Sequence, residues 1–395
     1  MSHRNAGFAA ERLERVSAML GGYVERGELP CASAIISRHG VTAYREKFGW
    51  QTIENGKALE FDSLFRIASM TKPVTATAAM LLYEEGHFDL NTPISTFLPA
   101  FKEMKVLVRR QPDGSLVLRD AETQITFRHL FTHTAGLSYG GGGDELDKLY
   151  QEALKAPGDA PETIQGFVSR LAELPLAFEP GTRWRYGFNL DVLGALVEVI
   201  SGQSLPDFTQ ERIFAPLGMT DTTFTLNPAQ QSRLATLYRR DPESGKLAPR
   251  EGPAWSVRMW GGGGLFSTLD DYARFAGMLA NGGAIEGTRL LSPTTTAMFA
   301  INWAAPEALP HFVELAPAIH AGYGYSLGTA VLLDPAPTGR FGNPGEFYWG
   351  GAFSTYFWVD PKESLYGLVM TQLDPNWAYP IPWQLKQLTY QALVE

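Results

Sequence analysis

The chain holds a single cysteine in 395 residues, Cys31, in the stretch Leu29-Pro30-Cys31-Ala32-Ser33-Ala34. An intrachain disulfide and a cysteine-rich metal site are therefore excluded, and the residue reads as a small buried side chain rather than a reactive thiol. No stretch approaches the run of about 18 apolar residues that a membrane-spanning helix needs. The N-terminal segment mixes Arg4, Glu11, Arg12, Glu14 and Arg15 with apolar residues at helical spacing. It lacks the uninterrupted apolar run of a secretory signal, so it is expected to be an amphipathic helix over roughly 8–27, and the cytoplasm is the expected compartment. Basic runs are also missing, none being longer than Arg109-Arg110, and the net charge is −9 with a pI near 5.4. Nucleic acid and anionic membrane surfaces are poor partners for such a chain. A small molecule is the expected partner, no cofactor is implied, and association into a homo-oligomer is left open. Internal repeats and low-complexity segments are absent as well.

What is present is ordinary globular text, 45% hydrophobic and 19% charged, long enough for one large or two average domains with a substantial core. Ser33–Ser37 and Val41–Phe48 are rich in strand formers and joined at Arg38-His39-Gly40, which reads as a hairpin. From about 75 to 260 helical pieces such as Leu146–Leu154, Thr163–Ala172, Leu190–Ser201 and Leu205–Ile213 alternate with Gly- and Pro-rich loops. Strand-like text returns in Tyr323–Leu333, Glu346–Val359 and Leu365–Leu373, and Ile381–Val394 closes as a helix. The expected fold class is α+β, an antiparallel sheet flanked by helices with an inserted, mainly helical domain. The expected division is a sheet domain from 1–74 and 261–395 and a helical domain over 75–260, with the active site at their interface. The run Gly140–Gly143 suggests a mobile loop.

The stretch that carries chemistry is Phe65-Arg66-Ile67-Ala68-Ser69-Met70-Thr71-Lys72-Pro73. Capping residues, a proline tolerated in a first turn, and Val74, Ala78, Leu81 and Leu82 at helical spacing up to Gly86 predict a helix starting beside Ser69. Residues three apart share a helix face, so Lys72 is expected beside the Ser69 hydroxyl. Ser-x-x-Lys alone is a weak signal, because common residues meet at this spacing by chance. A rival nucleophile is Ser138, since Gly136-Leu137-Ser138-Tyr139-Gly140 fits the Gly-x-Ser-x-Gly elbow. Its context is wrong: the elbow needs an apolar strand before it and a helix after it, and has neither. His129 and His133 stand four apart but lack an acidic third ligand, so no metal is expected. The run Gly261-Gly262-Gly263-Gly264 lacks the Gly-Lys-Ser/Thr of a phosphate loop and, with Thr268-x-x-Asp271 after it, reads as a close-packed turn before a capped helix.

Two further stretches raise the weight of Ser69: Trp184-Arg185-Tyr186-Gly187-Phe188-Asn189-Leu190-Asp191 and Trp349-Gly350-Gly351-Ala352, the latter within a predicted strand. Together, Ser69-x-x-Lys72, Tyr186 and Trp349-Gly350-Gly351 resemble the three motifs of family VIII carboxylesterases, which share their fold with class C β-lactamases and penicillin-binding DD-peptidases. His129-Leu130-Phe131-Thr132-His133-Thr134-Ala135-Gly136-Leu137, Pro216-Leu217-Gly218-Met219 and Gly263-Gly264-Leu265-Phe266-Ser267-Thr268 match as well, and the resemblance runs from about residue 10 to the end. It implies a serine carboxylesterase acting on short-chain esters through an acyl-enzyme on Ser69, with Lys72 and Tyr186 as base and proton shuttle. It also places the oxyanion donors on the backbone of Ser69 and Ala352, and substrate contacts at Trp349, Gly350 and Gly351.

The chain departs from the β-lactam-active relatives in two places. Where those usually carry Lys-Thr-Gly or His-Thr-Gly, an indole offers one neutral donor. Loss of a charge-assisted contact of ~1.5–3 kcal/mol disfavours carboxylate-bearing substrates and leaves neutral esters unaffected. At the second motif Phe188 occupies the place of the amide in Tyr-x-Asn, with Asn189 one place later. Trp184, Phe188, Trp255, Trp260, Tyr323 and Trp349 are candidates for an apolar pocket wall, although such residues more often serve the core. The same residues would also serve a weak β-lactamase, an acyltransferase, or a β-lactam sensor that is acylated without turnover.

Overall fold

The computed structural model describes residues 5–141, 143–154, 163–250, 260–315 and 320–395. Helix α1 (Ala10–Glu25) buries Leu13, Val16, Leu20 and Tyr23, the stripe that its helical spacing dictates. It leads into β1 (Cys31–Arg38), whose eight residues are all buried, and β2 (Val41–Thr52), followed by the short β3 (Lys57–Ala58). At the connection His39 and Gly40 both take positive φ, 53° and 75°, the turn that matches the twist of two adjacent strands. Helix α2 (Thr71–Glu84) follows the Ser69 turn, α3 (Asn189–Ser201) packs against it, and α4 (Leu269–Ala280) begins at Thr268, whose hydroxyl accepts from the Asp271 N–H. The chain then adds β4 (Tyr323–Tyr325), β5 (Ala330–Leu332), β6 (Phe347–Gly350), β7 (Tyr356–Asp360), β8 (Leu365–Met370) and α5 (Ile381–Tyr390).

The eight strands form one antiparallel sheet in the order β4-β5-β6-β7-β8-β1-β2-β3, so that the two ends of the chain meet at the β8–β1 pair, Ser33 opposite Met370. Strand β1 is central and covered on both faces. Ile35 and Ser37 look toward Ala273 and Gly277 of α4, and Ile36 between them pairs with Tyr44 of β2, whose hydroxyl meets Ser17 of α1. Helix α2 is buried along its whole length from Thr71 to Leu82. Its hydroxyls are accordingly spent internally: Thr75 donates to the Gly261 carbonyl at 2.8 Å and Thr77 to that of Pro73 at 2.9 Å.

Two readings of the sequence change here. The text over 346–359, expected as one strand, is two: β6 ends at Gly350, and residues 351–355 turn the chain back into β7. Glycines close a turn as readily as they weaken a strand, so the aromatic run on both sides masked the break. The segment expected to be mainly helical also contains a hairpin, Lys105–Arg110 with Leu116–Asp120, and the strands Tyr238–Arg240 and Leu247–Pro249, the first of which pairs in parallel with Leu373–Asp374. Those strands are short, and the apolar residues of the hairpin come in unbroken runs, Val106–Val108 and Leu116–Leu118, so they carry little of the period-2 signal that sequence reading depends on.

Candidate active site

Ser69 is placed by a short strand and a strained residue. Phe65–Arg66 pairs with Phe266–Ser267, and the chain then breaks direction at Ala68, which takes φ 45°. A left-handed alanine costs about 1–2 kcal/mol and persists only where its surroundings fix it. A single 3-10 turn, Ala68–Met70, runs directly into α2, leaving Ser69 half-buried at the helix start and Lys72 almost fully buried one turn later. The Lys72 Nζ donates to Ser69 Oγ at 3.1 Å and to the Gly262 carbonyl at 2.6 Å. The spacing in the sequence therefore produces the contact it implies.

Tyr186 comes from the loop that opens α3. Its ring stacks on Trp184, with centroids 5.9 Å apart and planes 9° from parallel, and the Lys72 Nζ lies 4.7 Å from its centroid. The phenol oxygen accepts from Trp349 Nε1 at 3.3 Å. Trp349 thus touches Tyr186 directly, from the last turn of β6, and carries no charge there.

The turn after β6 closes on the segment before Ser69. Gly351 is required: a Cβ there would overlap the Ile67 carbonyl and the Thr355 hydroxyl, which donates to that same carbonyl at 3.3 Å. Ala352 in consequence packs against Ala68, Leu237 and Phe353. Among the described residues no backbone carbonyl takes the N–H of either Ser69 or Ala352.

Behind Lys72 lies a layer that sequence reading did not assign. Asp191, in the first turn of α3 and only 1% exposed, accepts from the Gly262 N–H at 2.9 Å and from the Tyr139 hydroxyl at 3.2 Å. Burial pushes its carboxyl up to about 6, opposed by the positive charge of Lys72 and by those hydrogen bonds. The same burial, and then the Asp191 charge, hold the Tyr139 phenol well above its ordinary range. His133 is driven well below the usual imidazole range by burial and by Lys72. Its Nδ1 receives the Gly187 N–H at 3.4 Å and faces the Asn189 amide at 2.9 Å, which puts the ring proton on Nε2. The one hint in the sequence was an acid at the start of a helix just after the Tyr186 motif.

The other candidates fall elsewhere. Ser138 is 2% exposed, donates to the buried carboxylate of Asp147 and accepts from the Gly140 N–H at 3.0 Å; Arg185 donates to the same Asp147 oxygen at 2.6 Å. It is a structural hydroxyl apart from the Ser69 cluster. His129 closes a capping box with Thr126, and burial pushes it down to about 4. Among the described residues no group of three or more His, Cys, Asp or Glu side chains could hold a metal, and no helix is long and apolar enough to cross a membrane. The Cys31 thiol is buried and pushed up to about 12. Phe188 is fully buried among Tyr139, Phe167 and Trp260, and Tyr323, the first residue of β4, is buried beside Tyr348 and Lys386; both are core residues. Of the aromatic wall, Trp184 and Trp349 are the members that touch Tyr186. Trp255, and Gly142 of the glycine run, lie outside the described residues.

A serine and a lysine on one buried helical turn, packed beside the end of strand β6 in an antiparallel sheet, define the class of serine hydrolases with a β-lactamase fold. The family model described as Beta-lactamase matches residues 16–391, and the chain belongs to that family. It is 32% identical to Esterase EstB of Burkholderia gladioli over 388 residues, 92% of this chain and 91% of that one. It is 30% identical to the ML-236A carboxylate methylbutanoyltransferase of Penicillium citrinum, over 95% of this chain and 93% of the other. The solved structure of unliganded Simvastatin Synthase (LovD) from Aspergillus terreus superposes with a TM-score of 0.83 at 28% identity, covering 98% of each chain. The chain is an acyl-transferring serine hydrolase of this fold.

Proposed function

We propose that the protein is a carboxylesterase that hydrolyses short-chain carboxylic esters through an acyl-enzyme on Ser69. The observation that carries this reading is the contact of Lys72 Nζ with Ser69 Oγ, at 3.1 Å, beneath the ring of Tyr186. A serine hydroxyl is a poor nucleophile without a neighbouring base. Ser69 Oγ attacks the ester carbonyl while Tyr186, directly or through Lys72, takes the serine proton and returns it to the leaving alcohol. The backbone N–H groups of Ser69 and Ala352 receive the developing oxyanion. Water then attacks the acyl carbon and gives up a proton to Tyr186, directly or through Lys72; the bond to Ser69 Oγ breaks, the acid leaves, and that proton from water restores the Ser69 hydroxyl. Trp349, Gly350 and Gly351 flank the substrate. With Trp349 donating a neutral N–H to Tyr186, no cation stands at this position to capture a substrate carboxylate, which favours neutral esters over β-lactams.

A second reading, transfer of the acyl group to a specific alcohol, uses the same residues and is favoured by the methylbutanoyltransferase among the relatives. One panel tests both: p-nitrophenyl esters of increasing acyl length, nitrocefin and a D-Ala-D-Ala peptide, each with and without added alcohol. Short neutral esters are expected to turn over in water faster than nitrocefin by at least about a decade. A product stream that switches to the new ester in the presence of alcohol favours the transferase. A burst of product without turnover favours a sensor, and cleavage of the peptide with inert esters overturns the esterase reading.

A further inference from the structure

Lys72 is almost fully buried, and an ammonium in such a place must be met by acceptors or opposite charge. Among the described residues its one hydrogen-bond acceptor apart from Ser69 is the Gly262 carbonyl, at 2.6 Å, the short separation of a charge-assisted bond. The rings of Tyr186 and Tyr139 stand 4.7 and 5.3 Å from Nζ. What fixes Gly262 therefore fixes Lys72, and through it Ser69. Gly262 is fixed by Asp191, whose Oδ1 accepts its N–H at 2.9 Å, while Oδ2 accepts the Tyr139 hydroxyl at 3.2 Å. The packing leaves no slack. A Cβ on Gly262 would fall 2.5 Å from Asp191 Oδ2 and 2.6 Å from the Tyr139 oxygen.

We propose that Asp191 is a positioning residue for Ser69: its carboxylate clamps Gly262 so that the Gly262 carbonyl holds Lys72 on the Ser69 hydroxyl, and it supplies the negative charge that faces the Lys72 ammonium. This inference rests on Ser69 being the nucleophile, and it goes beyond that reading by assigning a task to a group that touches neither substrate nor the reacting atoms. A purely structural acid would be equally served by any neutral acceptor of the same shape. A charged clamp would not.

The groups acting on Asp191 are Lys72 from α2, the Tyr139 phenol from the loop before the Gly140 turn, and the N–H of Gly262. Because its carboxyl is pushed up to about 6, the clamp is uncharged below that pH and charged above it. With the ionised form as the working one, the reactivity of Ser69 rises as pH rises through about 6.

The test uses a fluorophosphonate, which reports on Ser69 without any assumption about the natural ester. In that reaction the Ser69 Oγ–P bond forms, the P–F bond breaks, fluoride leaves, and the serine proton passes to Tyr186 directly or through Lys72. The rate of inactivation of the full chain is measured from pH 4.5 to 9, together with kcat and KM for p-nitrophenyl acetate, in Asp191→Asn, Asp191→Ala and Gly262→Ala. Asp191→Asn keeps an acceptor for Gly262 and removes only the charge. It is expected to lose the rise near pH 6 and to react about ten- to a hundredfold more slowly at neutral pH, as misplaced reacting groups do, with KM changed little. Gly262→Ala, which displaces the carboxylate sterically, is expected to show the same slowing. Thermal melting identifies a variant that fails to fold, and the isosteric Asn variant decides the matter should Ala not survive. An Asp191→Asn protein with wild-type rate and pH profile overturns the proposal. If the wild-type chain reacts with the probe but hydrolyses no ester, the esterase reading fails while the Asp191 comparison still stands.

Discussion

Lys72 and Lys386 are each 1% exposed and each lies near tyrosine rings, yet their charges are met differently. Lys386, on α5, is paired directly with the fully buried carboxylate of Glu346, whose second oxygen accepts the Tyr390 hydroxyl at 3.0 Å. Tyr390 also reaches Asp360, which takes the Asn343 amide at 2.7 Å, so each charged group of this cluster has a partner. Among the described residues Lys72 has no carboxylate in contact. It is met by a serine hydroxyl, a backbone carbonyl and two ring faces, with Asp191 one residue behind. A cation whose charge is fully answered pins α5 to the sheet. One that touches only neutral acceptors, with its countercharge a residue away and a half-buried hydroxyl beside it, remains available for chemistry.

The same substitution at both lysines breaks the comparison if it is false. Lys72→Met should lower ester turnover by about a thousandfold or more, and Ser69→Ala by more still, since a nucleophile and its base act as a unit. The melting temperature of Lys72→Met should fall much less than that of Lys386→Met, because Lys72 is not in contact with Asp191, which keeps the Gly262 and Tyr139 donors and is pushed up to about 6 by burial. Lys386→Met should do the reverse. Stripping Glu346 of its partner should cost about 3–5 kcal/mol in denaturant unfolding, with kcat per folded molecule within a few-fold of wild type, and adding Glu346→Leu should restore much of the loss. If Lys386→Met abolished turnover at unchanged stability, the Glu346 cluster would belong to the site and the distinction would collapse.

The part of this arrangement that could be read from the sequence is the local part. Ser69 and Lys72 sit one turn apart, and the helix that joins them carries its own start and stop signals, so their contact follows from spacing alone. Tyr186 and Trp349 lie far along the chain, and it was resemblance to a family, not periodicity, that attached them to Ser69. Asp191 and Gly262 were not legible, although both stood in stretches singled out for other reasons. An acid in a first helical turn is ordinary, a glycine run is an ordinary turn, and their hydrogen bond joins segments 71 residues apart. The turn at 351–355 was hidden for a different reason. Glycines that let a strand approach a ligand and glycines that end a strand look the same, and the contact of Gly351 with Ile67 that decides between them is again non-local.

The two serines give the last and smallest test. Ser69 and Ser138 both sit in stretches that can be read as nucleophile motifs, and both have a charged partner within hydrogen-bond reach. The partners differ in the direction of the proton. Lys72 points a donor at Ser69, leaving the hydroxyl proton free to be drawn away, whereas Ser138 spends its own proton on Asp147, which Arg185 and the Asp144 N–H also hold. A hydroxyl used as a donor to a buried carboxylate has its lone pairs directed elsewhere, one of them to the Gly140 N–H at 3.0 Å. Ser138→Ala should therefore leave kcat and KM within about threefold of wild type and reduce stability by about 1–3 kcal/mol, the cost of a buried acceptor deprived of its donor. Asp147 retains Arg185 in that variant, which favours the lower end of the range. The measurement is ester kinetics at saturating and limiting substrate, beside urea unfolding of the same preparation. Loss of turnover with unchanged unfolding would make Ser138 part of the reacting machinery and would return the elbow reading to contention.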